Sequence, residues 1–426
     1  MAALNTLLSG IALPLFLSFA GVFFLIYLKG APFLKIAANL KNLRQSSGTG
    51  TSPFKAVVLA LAGTLGVGNM VGVAAAIKEG GAGVLFWMWV SSFLAMVVKF
   101  TEIKLSMRYR RVNGKGAFLG GAMYYMPGAA GKLFSLLCIL CAFTVGGAMQ
   151  VRAFTDACSS LFPFPPLLMG LLLCLPLLLV LFKGGHRFFD LSAALVPLMS
   201  LLYVVLCLGV ILRFRQALPA VLAEIFLDAL DLKSVTLGGG VGLLTALRLG
   251  VVRGILSNEA GCGTAPMAHA ASSAASADAQ GTLGMVEVAF DTLLLCTLSG
   301  LALLLCPGAL SEQEGVSMLL FAFSTVFGRI SSLLLPLAIF LFAFATILCW
   351  CYYGRTCTAF LLGQSSSPLL FDLPFLAVLL LSPLLSEGRI LSLCDPVITC
   401  MTLLNLSALF LHRKELRQVK IPKEKK

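Results

Sequence analysis

The stretch from Ala62 to Gly72 reads AGTLGVGNMVG and interrupts Ala56–Ile77, an apolar segment that contains no Asp, Glu, Lys or Arg. Each of the glycines at 63, 66 and 68 weakens a helix by about 1 kcal/mol relative to alanine. Unwinding here frees backbone groups that lipid cannot satisfy, so they must line a cavity. Freed carbonyls suit a cation, and a new helix N-terminus suits a carboxylate. The alternative is close helix packing, since Gly68 and Gly72 form a GxxxG pattern.

A second interrupted segment runs from Gly254 to Pro266 and reads GILSNEAGCGTAP. It places Asn258 and Glu259 at or near membrane depth, where a carboxylate indicates a functional site. The alternative for Glu259 is a structural ion pair with Arg253 or Arg248. Two glycine-broken helices at corresponding places in two halves of a chain predict an inverted-repeat transporter whose site lies where both helices break.

The composition places most of the chain in a membrane. Of 426 residues, 59% are hydrophobic and 12% are charged, and the mean hydropathy is +0.98. A soluble domain has about a quarter charged residues. Eight segments without any charged residue approach or exceed the ~20 residues that span a bilayer as a helix: Met1–Leu28, Ala56–Ile77, Gly80–Val98, Leu133–Val151, Pro165–Phe182, Leu191–Leu212, Thr292–Ser311 and Ile330–Gly354.

Three less regular segments, 234–271, 373–386 and 390–411, bring the prediction to about eleven transmembrane helices. The loops are too short to hold another domain, so residues 1–426 are predicted to form a single all-α membrane transport domain. Its predicted parts are an extra N-terminal helix (5–28), a first five-helix repeat (56–215), a second five-helix repeat (234–411) and a basic cytoplasmic tail (412–426). Gly315–Gly328 is apolar but short, which predicts a half-helix or a surface helix.

The distribution of Lys and Arg predicts the orientation. With the N-terminus outside and the C-terminus in the cytoplasm, 21 of the 31 Lys and Arg residues are cytoplasmic and six are external: Lys78, Arg213, Arg215, Lys233, Arg329 and Arg389. This agrees with the positive-inside rule for a multi-pass protein of the inner membrane. The net charge of +13 is therefore interpreted as a consequence of topology, and the lipid bilayer, not nucleic acid, as the partner.

Few other polar residues lie within apolar spans. Gln150 is a candidate for binding an ammonium or carboxylate group, or else for an interhelical hydrogen bond. Asp291 precedes an uncharged segment and is interpreted as a helix cap, and Trp350 either walls a pocket or belongs to an interfacial belt. No HExxH, Gly-x-Ser-x-Gly or Walker pattern occurs, which argues against an enzyme and against direct coupling to ATP.

The sequence resembles the alanine-or-glycine:cation symporter family, also called the sodium:alanine symporters. The resemblance runs from the first predicted helix to the last. Its strongest stretches are Ala60–Arg110, Gly120–Met126 (GGAMYYM), Arg253–Ala271 (RGILSNEAGCGTAPMAHAA), Gln280–Thr297 and Phe342–Arg355 (FAFATILCWCYYGR). It implies a leucine-transporter-type fold, in which a 5+5 inverted repeat follows one extra helix.

The resemblance also implies a function and a site. The expected function is symport of a small neutral amino acid, such as alanine or glycine, with a monovalent cation, by alternating access. The expected cation is sodium, with a proton as the alternative. The implied substrate-binding residues are Thr64, Gly66, Val67, Gly68, Asn69, Gln150, Asn258, Gly261, Gly263, Met267 and Trp350. The implied cation ligands are the backbone carbonyls of Ala62 and Leu65, together with Asn69 and Thr346.

The chain departs from the family pattern at the implied cation site. The family usually has Phe-Ser-Thr where this chain has Phe344-Ala345-Thr346, so one hydroxyl is missing. This departure leaves three functions open: a sodium symporter, a proton-coupled or uncoupled amino-acid carrier, and a transporter-like sensor that binds an amino acid without moving it.

The charge asymmetry yields a test of orientation. A reporter fused after Lys426 is expected to be cytoplasmic, and a reporter fused before Met1 is expected to be external. Paired fusions of a cytoplasm-active and a periplasm-active reporter measure both positions. If both termini lie on the same side, the count of eleven spans and the register of the repeats are wrong.

Overall fold

The computed structural model describes residues 12–43, 50–114, 116–159, 165–182, 186–230, 241–312 and 315–417. The start of the predicted N-terminal helix and the end of the basic tail lie outside these residues. Within them the chain is helical apart from short connections and one antiparallel two-stranded ribbon, which pairs Arg111–Val112 (β1) with Phe118–Leu119 (β2). The predicted all-α class is therefore confirmed.

The first half of the chain contains twelve described helices. They are α1 Leu13–Tyr27, α2 Ala31–Leu34, α3 Ile36–Asn42, α4 Pro53–Thr64, α5 Val73–Gly80, α6 Gly83–Tyr109, α7 Ala122–Tyr125, α8 Gly128–Phe143, α9 Met149–Ser159, α10 Pro166–Leu181, α11 His186–Arg213 and α12 Leu218–Ala229. Wider π-helical turns at Gly68–Gly72 and Thr144–Ala148 lead into α5 and α9, and Arg215–Ala217 is a 3₁₀ turn.

The second half of the chain contains nine described helices. They are α13 Val241–Asn258, α14 Ala265–Ala270, α15 Ala277–Val288, α16 Thr297–Leu305, α17 Gly315–Phe327, α18 Ser331–Leu362, α19 Leu369–Leu381, α20 Glu387–Leu411 and α21 Arg413–Leu416. A π-helical stretch, Ala289–Cys296, joins α15 to α16, and 3₁₀ turns lie at Ala309–Ser311, Gly328–Ile330 and Ser382–Leu384.

Six helical segments of the described chain are long and apolar enough to cross a membrane: Gly83–Tyr109, Gly128–Cys158, Arg187–Arg213, Ala277–Leu305, Gly315–Leu362 and Gly388–Leu411. The pair Pro53–Thr64 and Gly68–Gly80, bent by 56°, adds a seventh if it is one broken span. Shorter apolar helices lie at Leu13–Tyr27, Pro166–Leu181 and Leu369–Leu384. The number eleven and the 5+5 repeat remain predictions.

The polarity of the surface is that of a protein in lipid. Leucines on the outer faces of α10, α11 and α19, such as Leu179, Leu201 and Leu373, are more than half exposed. Some charged residues lie inside instead: Lys99 and Glu102 on α6 are completely buried. Apolar side chains outside and charges inside fit a membrane, where charged residues face the interior of the helix bundle. The chain is thus a multi-pass membrane protein.

Two long helices organise the packing. Helix α6 lies against α1, α13 and α15, whereas α18 lies against α4, α8, α9 and α11. Helix α17 continues into α18 through the turn at Gly328–Ile330 and also packs against the π-helical turn Gly68–Gly72. The segment predicted as a half-helix or surface helix is therefore half-buried beside the first break.

Glycines allow α13 to approach α6 closely. A Cβ atom at Gly250 would lie 2.5 Å from the Cβ of Trp87 and 2.6 Å from the carbonyl oxygen of Val84. A Cβ atom at Gly254 would lie 2.2 Å from the Oγ of Ser91. Small residues at such contacts let two membrane helices pack backbone to backbone.

This contact predicts a loss of stability for Gly250→Ala. Alanine has the better helix propensity by about 1 kcal/mol, but its methyl group must displace the α6 backbone, and overpacking costs roughly 1–3 kcal/mol. The midpoint of thermal unfolding of the purified protein should fall. Gly128→Ala is the matched control, because nothing lies within 4 Å of a Cβ there. Equal midpoints for the two variants would show that α13 and α6 are not in close contact.

Candidate substrate and cation site

A cavity of about 820 Å³ lies between the two interrupted helices. From the first break it is lined by Thr64, Gly66, Val67, Gly68 and Asn69, and from the second by Ser257 and Glu259. Gln150, Thr346 and Trp350 complete its inner part. Its mouth carries partly exposed charged side chains: Glu79, which pairs with Arg248 at 3.6 Å, and Asp156, which pairs with Arg152 at 2.6 Å.

At the first break, the side chain of Gln150 from another helix forms a hydrogen bond with the backbone. Helix α4 ends at Thr64, and the backbone N–H of Val67 donates to the Oε1 atom of Gln150 at 3.3 Å. The other end of that amide donates to the carbonyl of Val145 at 3.1 Å. A Cβ at Gly66 would lie 3.2 Å from Gln150, so this position leaves little room beside the amide. Gln150 therefore satisfies a backbone donor that the break frees.

Thr346, on α18, faces the same break. Its hydroxyl is 3.0 Å from the carbonyl oxygen of Ala62 and 3.4 Å from that of Leu65. The structure thus brings together three of the four residues that the resemblance implied for a cation, and Asn69 is the fourth. Ala345 is completely buried beside Thr346 and contributes no oxygen from its side chain.

A buried carboxylate that sequence reasoning interpreted as a helix cap lies at this break instead. Asp291 sits within the π-helical stretch between α15 and α16, so it does not cap a helix. One carboxylate oxygen accepts from the amide of Asn69, and the other accepts from the hydroxyls of Ser257 and Thr292. No Lys, Arg or His of the described chain lies within ion-pair distance of Asp291. The one sequence signal for it was an acidic residue in an apolar region.

The backbone at the second break turns through three residues with positive φ. Glu259 adopts a φ of +51°, which is rare for a residue with a side chain, and Gly261 and Gly263 also have positive φ. The hydroxyl of Thr264 donates to Glu259 at 2.7 Å, and the Oδ1 of Asn258 accepts from the N–H of Ala260 at 3.0 Å. The Glu259 side chain therefore accepts a hydrogen bond from within its own broken segment and also lines the cavity.

Four residues that the resemblance implied for the substrate do not line the cavity: Asn258, Gly261, Gly263 and Met267. Asn258 donates to the Thr292 hydroxyl at 3.1 Å and to the Gly254 carbonyl. A Cβ at Gly261 would meet Leu17 and Leu406, and one at Gly263 would meet Ala122 and Phe134. The sulfur of Met267 lies 3.7 Å from that of Cys357. These residues support the broken segment from behind.

Trp350 walls the inner end of the cavity. Its side chain fills the space that Gly146 leaves, because a Cβ there would lie 2.2 Å from the indole ring. The indole N–H is buried and has no hydrogen-bond partner among the described residues. Trp350 therefore contributes the surface of its ring to the cavity wall.

The face opposite the mouth is closed. Thr51 bridges to the segment after α14, where its N–H donates to the Ala271 carbonyl at 2.9 Å and its carbonyl accepts from Ser273 at 2.6 Å. Arg110 donates to the Ser272 carbonyl at 2.6 Å and stacks on Phe118 at 3.7 Å. The cavity is thus open towards one face of the protein and sealed from the other.

Known proteins are similar to this chain in sequence or in fold. The profile of the sodium:alanine symporter family matches residues 1–422. An uncharacterized transporter of Haemophilus influenzae is 35% identical over 97% of this chain and 93% of its own length. The sodium/alanine symporter AgcS of Methanococcus maripaludis is 31% identical over 95% and 89%.

Among solved structures, the manganese transporter of Eremococcus coleocola superposes with a TM-score of 0.55 at 14% identity, covering 87% of this chain and 81% of its own. At that identity the likeness concerns the fold alone, which is that of a membrane transporter. The match along nearly the whole sequence, together with two relatives above 30% identity, shows that the chain belongs to the sodium:alanine symporter family.

Proposed function

We propose that the protein is a secondary active transporter that moves a small neutral amino acid, such as alanine or glycine, together with sodium by alternating access. The observation that carries the proposal is a cavity that reaches both broken helices from one face while the other face is sealed. The family name and the name of AgcS, a sodium/alanine symporter, support the choice of cargo and ion.

The cavity offers complementary groups to a zwitterion. The first break ends in the helical turn from Gly68, whose open N-terminal end suits a carboxylate. Trp350 adds the wall formed by its aromatic ring. Glu259, at the second break, provides a negative charge for the α-ammonium group. A zwitterion bound between two helix breaks then holds the two halves of the site at a fixed separation.

Two places on the first break suit a cation. One lies between Thr346 and the carbonyls of Ala62 and Leu65, where all the donors are neutral oxygens. The other lies beside Asn69, where Asp291, Ser257 and Thr292 gather a carboxylate and two hydroxyls. Hard monovalent cations bind through such oxygen ligands. A cation here also offsets the charge of Asp291, which is costly to bury without a partner.

Coupling between the cation and the amino acid follows because both bind at the first break. A cation that organises the break also sets the position of the helix N-terminus that receives the carboxylate, so each ligand favours binding of the other. The sealed face carries Arg110, and the distribution of Lys and Arg supports a cytoplasmic position for that face. In this orientation the cavity opens to the outside of the cell, where it can bind the amino acid and sodium.

An uptake assay tests the proposal against its alternatives. Reconstituted protein should accumulate labelled alanine only with an inward sodium gradient. Gly68→Leu should lose uptake, because a Cβ at Gly68 points into open space within the cavity, whereas Gly128→Leu, which also points into open space outside the cavity, should retain it.

The alternatives give different results in that assay. Uptake driven by a proton gradient in the absence of sodium indicates a proton-coupled carrier, and equilibration without any gradient indicates an uncoupled one. Alanine binding without uptake indicates a sensor, and in that case the proposed transport is wrong.

Two neighbouring positions on α18 test the sodium site in opposite directions. Ala345→Ser adds the hydroxyl that relatives have, and Thr346→Ala removes the one that faces Ala62 and Leu65. One ligand is worth about 1–3 kcal/mol, so the half-saturation for sodium should fall about tenfold in the first variant and rise at least about tenfold in the second. Measured alanine uptake against sodium concentration reports both. If Ala345→Ser leaves the curve unchanged, the missing hydroxyl does not limit sodium binding and the expectation based on it is wrong.

A further inference from the structure

A cluster of charged residues lies behind the second break, away from the cavity. Lys99 and Glu102 on α6, His269 on α14 and Glu287 on α15 are each completely buried. None of the four lines the cavity. We name these four residues the Lys99 cluster. Buried ionisable groups inside a membrane are expensive and indicate function.

The histidine side of the Lys99 cluster is satisfied without a charge on the ring. His269 Nε2 lies 2.9 Å from Glu287, and Nδ1 lies 2.7 Å from the Gln280 amide. A neutral ring that donates from Nε2 and accepts at Nδ1 meets both partners. The Gln280 oxygen accepts in turn from the Ser272 hydroxyl at 2.8 Å. Every polar atom on this side is therefore paired.

On the glutamate side of the Lys99 cluster, positive and negative charges are not equal in number. Lys99 bonds to Glu287 at 3.1 Å and is 4.0 Å from the Oε1 of Glu102. Oε1 has no hydrogen-bond partner among the described residues. One lysine thus faces two carboxylates. An ionised Glu102 would leave a poorly compensated charge in the membrane interior, whereas a protonated one leaves only an unmet hydrogen bond, which costs less.

The other oxygen of Glu102 holds the second break. Its Oε2 accepts from the Gly263 N–H at 3.2 Å and from the Asn405 amide at 2.8 Å, and that amide also donates to the Gly261 carbonyl at 2.8 Å. A charged carboxylate accepts such bonds about twice as strongly as a neutral one. The protonation state of Glu102 therefore changes the strength of the hydrogen bonds that hold the second broken segment, whose Glu259 lines the cavity.

We propose that Glu102 is a proton-binding site that is coupled to the second broken helix. The carboxyl carries a proton on Oε1 in the cavity-open conformation shown here. When residues 259–264 rearrange towards the opposite face, Lys99 moves onto Oε1 and the proton leaves to water on that face. The proton thus travels with the amino acid. This inference rests on the proposed transport function and adds a second coupling ion.

The surroundings of Glu102 define which groups set its proton affinity. From its own helix it faces Lys99, from α15 Glu287, from the second break Cys262, and from α7 Tyr125, whose hydroxyl donates to Asn405 at 2.5 Å. Glu259 and His269 act on it through Lys99 and Glu287. Asn405, from α20, carries no charge.

The test measures proton movement and alanine uptake in the same vesicles. Wild-type protein is reconstituted with a pH-sensitive dye inside and a clamped membrane potential, and alanine is added with sodium present. The lumen should acidify as alanine enters. Glu102→Gln keeps an oxygen acceptor for Gly263 and Asn405, so this variant should take up alanine without acidification and with a flat dependence on external pH.

Asp190→Asn is the matched control. Among the described residues, Asp190 bonds only to Lys55, at 2.5 Å, and it is 56% exposed, so its loss should leave the proton signal and the pH profile unchanged. Alanine entry into wild-type vesicles without acidification overturns the proton site and leaves the proposed transport intact. The absence of any alanine uptake overturns the proposed transport itself.

Two further outcomes are decisive for Glu102. Acidification by Glu102→Gln at the wild-type rate overturns the assignment, because another group then carries the proton. If that variant fails to insert, Glu102→Asp takes its place. It retains a carboxyl group at a different distance from Lys99, so the pH profile of uptake should shift, and an unshifted profile contradicts the proposal.

Discussion

Breaking a helix at membrane depth frees backbone N–H and C=O groups that lipid cannot satisfy, and the rest of this structure is arranged around that requirement. At the first break Gln150 accepts from Val67, and Thr346 reaches the carbonyls of Ala62 and Leu65. At the second break Glu102 accepts from the Gly263 N–H, and Asn405 donates to the Gly261 carbonyl. The residues that serve the backbone come from helices distant in sequence, so the breaks also tie the two halves of the chain together.

The difference between the two breaks lies in what remains available to a ligand. The first break presents its freed groups to the cavity. Thr64 and Gly68 both line the cavity, and a Cβ at Gly68 would meet nothing within 4 Å. The second is filled from behind by Glu102 and Asn405, and only Glu259 and Ser257 reach the cavity. One helix break therefore offers a binding surface, and the other acts as a support whose position depends on side chains outside the cavity.

Charge compensation follows the same division. Asp291 lies at the first break with hydroxyl and amide donors but with no basic side chain of the described residues at ion-pair distance, which is the environment expected of a site that receives a cation. Behind the second break the carboxylates of Glu102 and Glu287 share Lys99. Conformational change in a membrane requires that such buried charges remain compensated throughout, so each cluster constrains how its own helix can move.

The sequence by itself determined the all-helical membrane class, the two places where helices break, and the family. Glycine-rich runs inside uncharged segments are local features, and apolar length is set by the thickness of the bilayer. It also predicted Gln150, Thr346 and Trp350 as site residues, and all three line the cavity. Only the tertiary structure joined Asp291 to Asn69, assembled Lys99 with Glu287 and turned Gly261, Gly263 and Met267 away from the cavity. The physical reason is that lipid-facing and core-facing surfaces of a membrane helix are both apolar. The sequence pattern therefore does not report which face meets which neighbour, and that choice is made by packing.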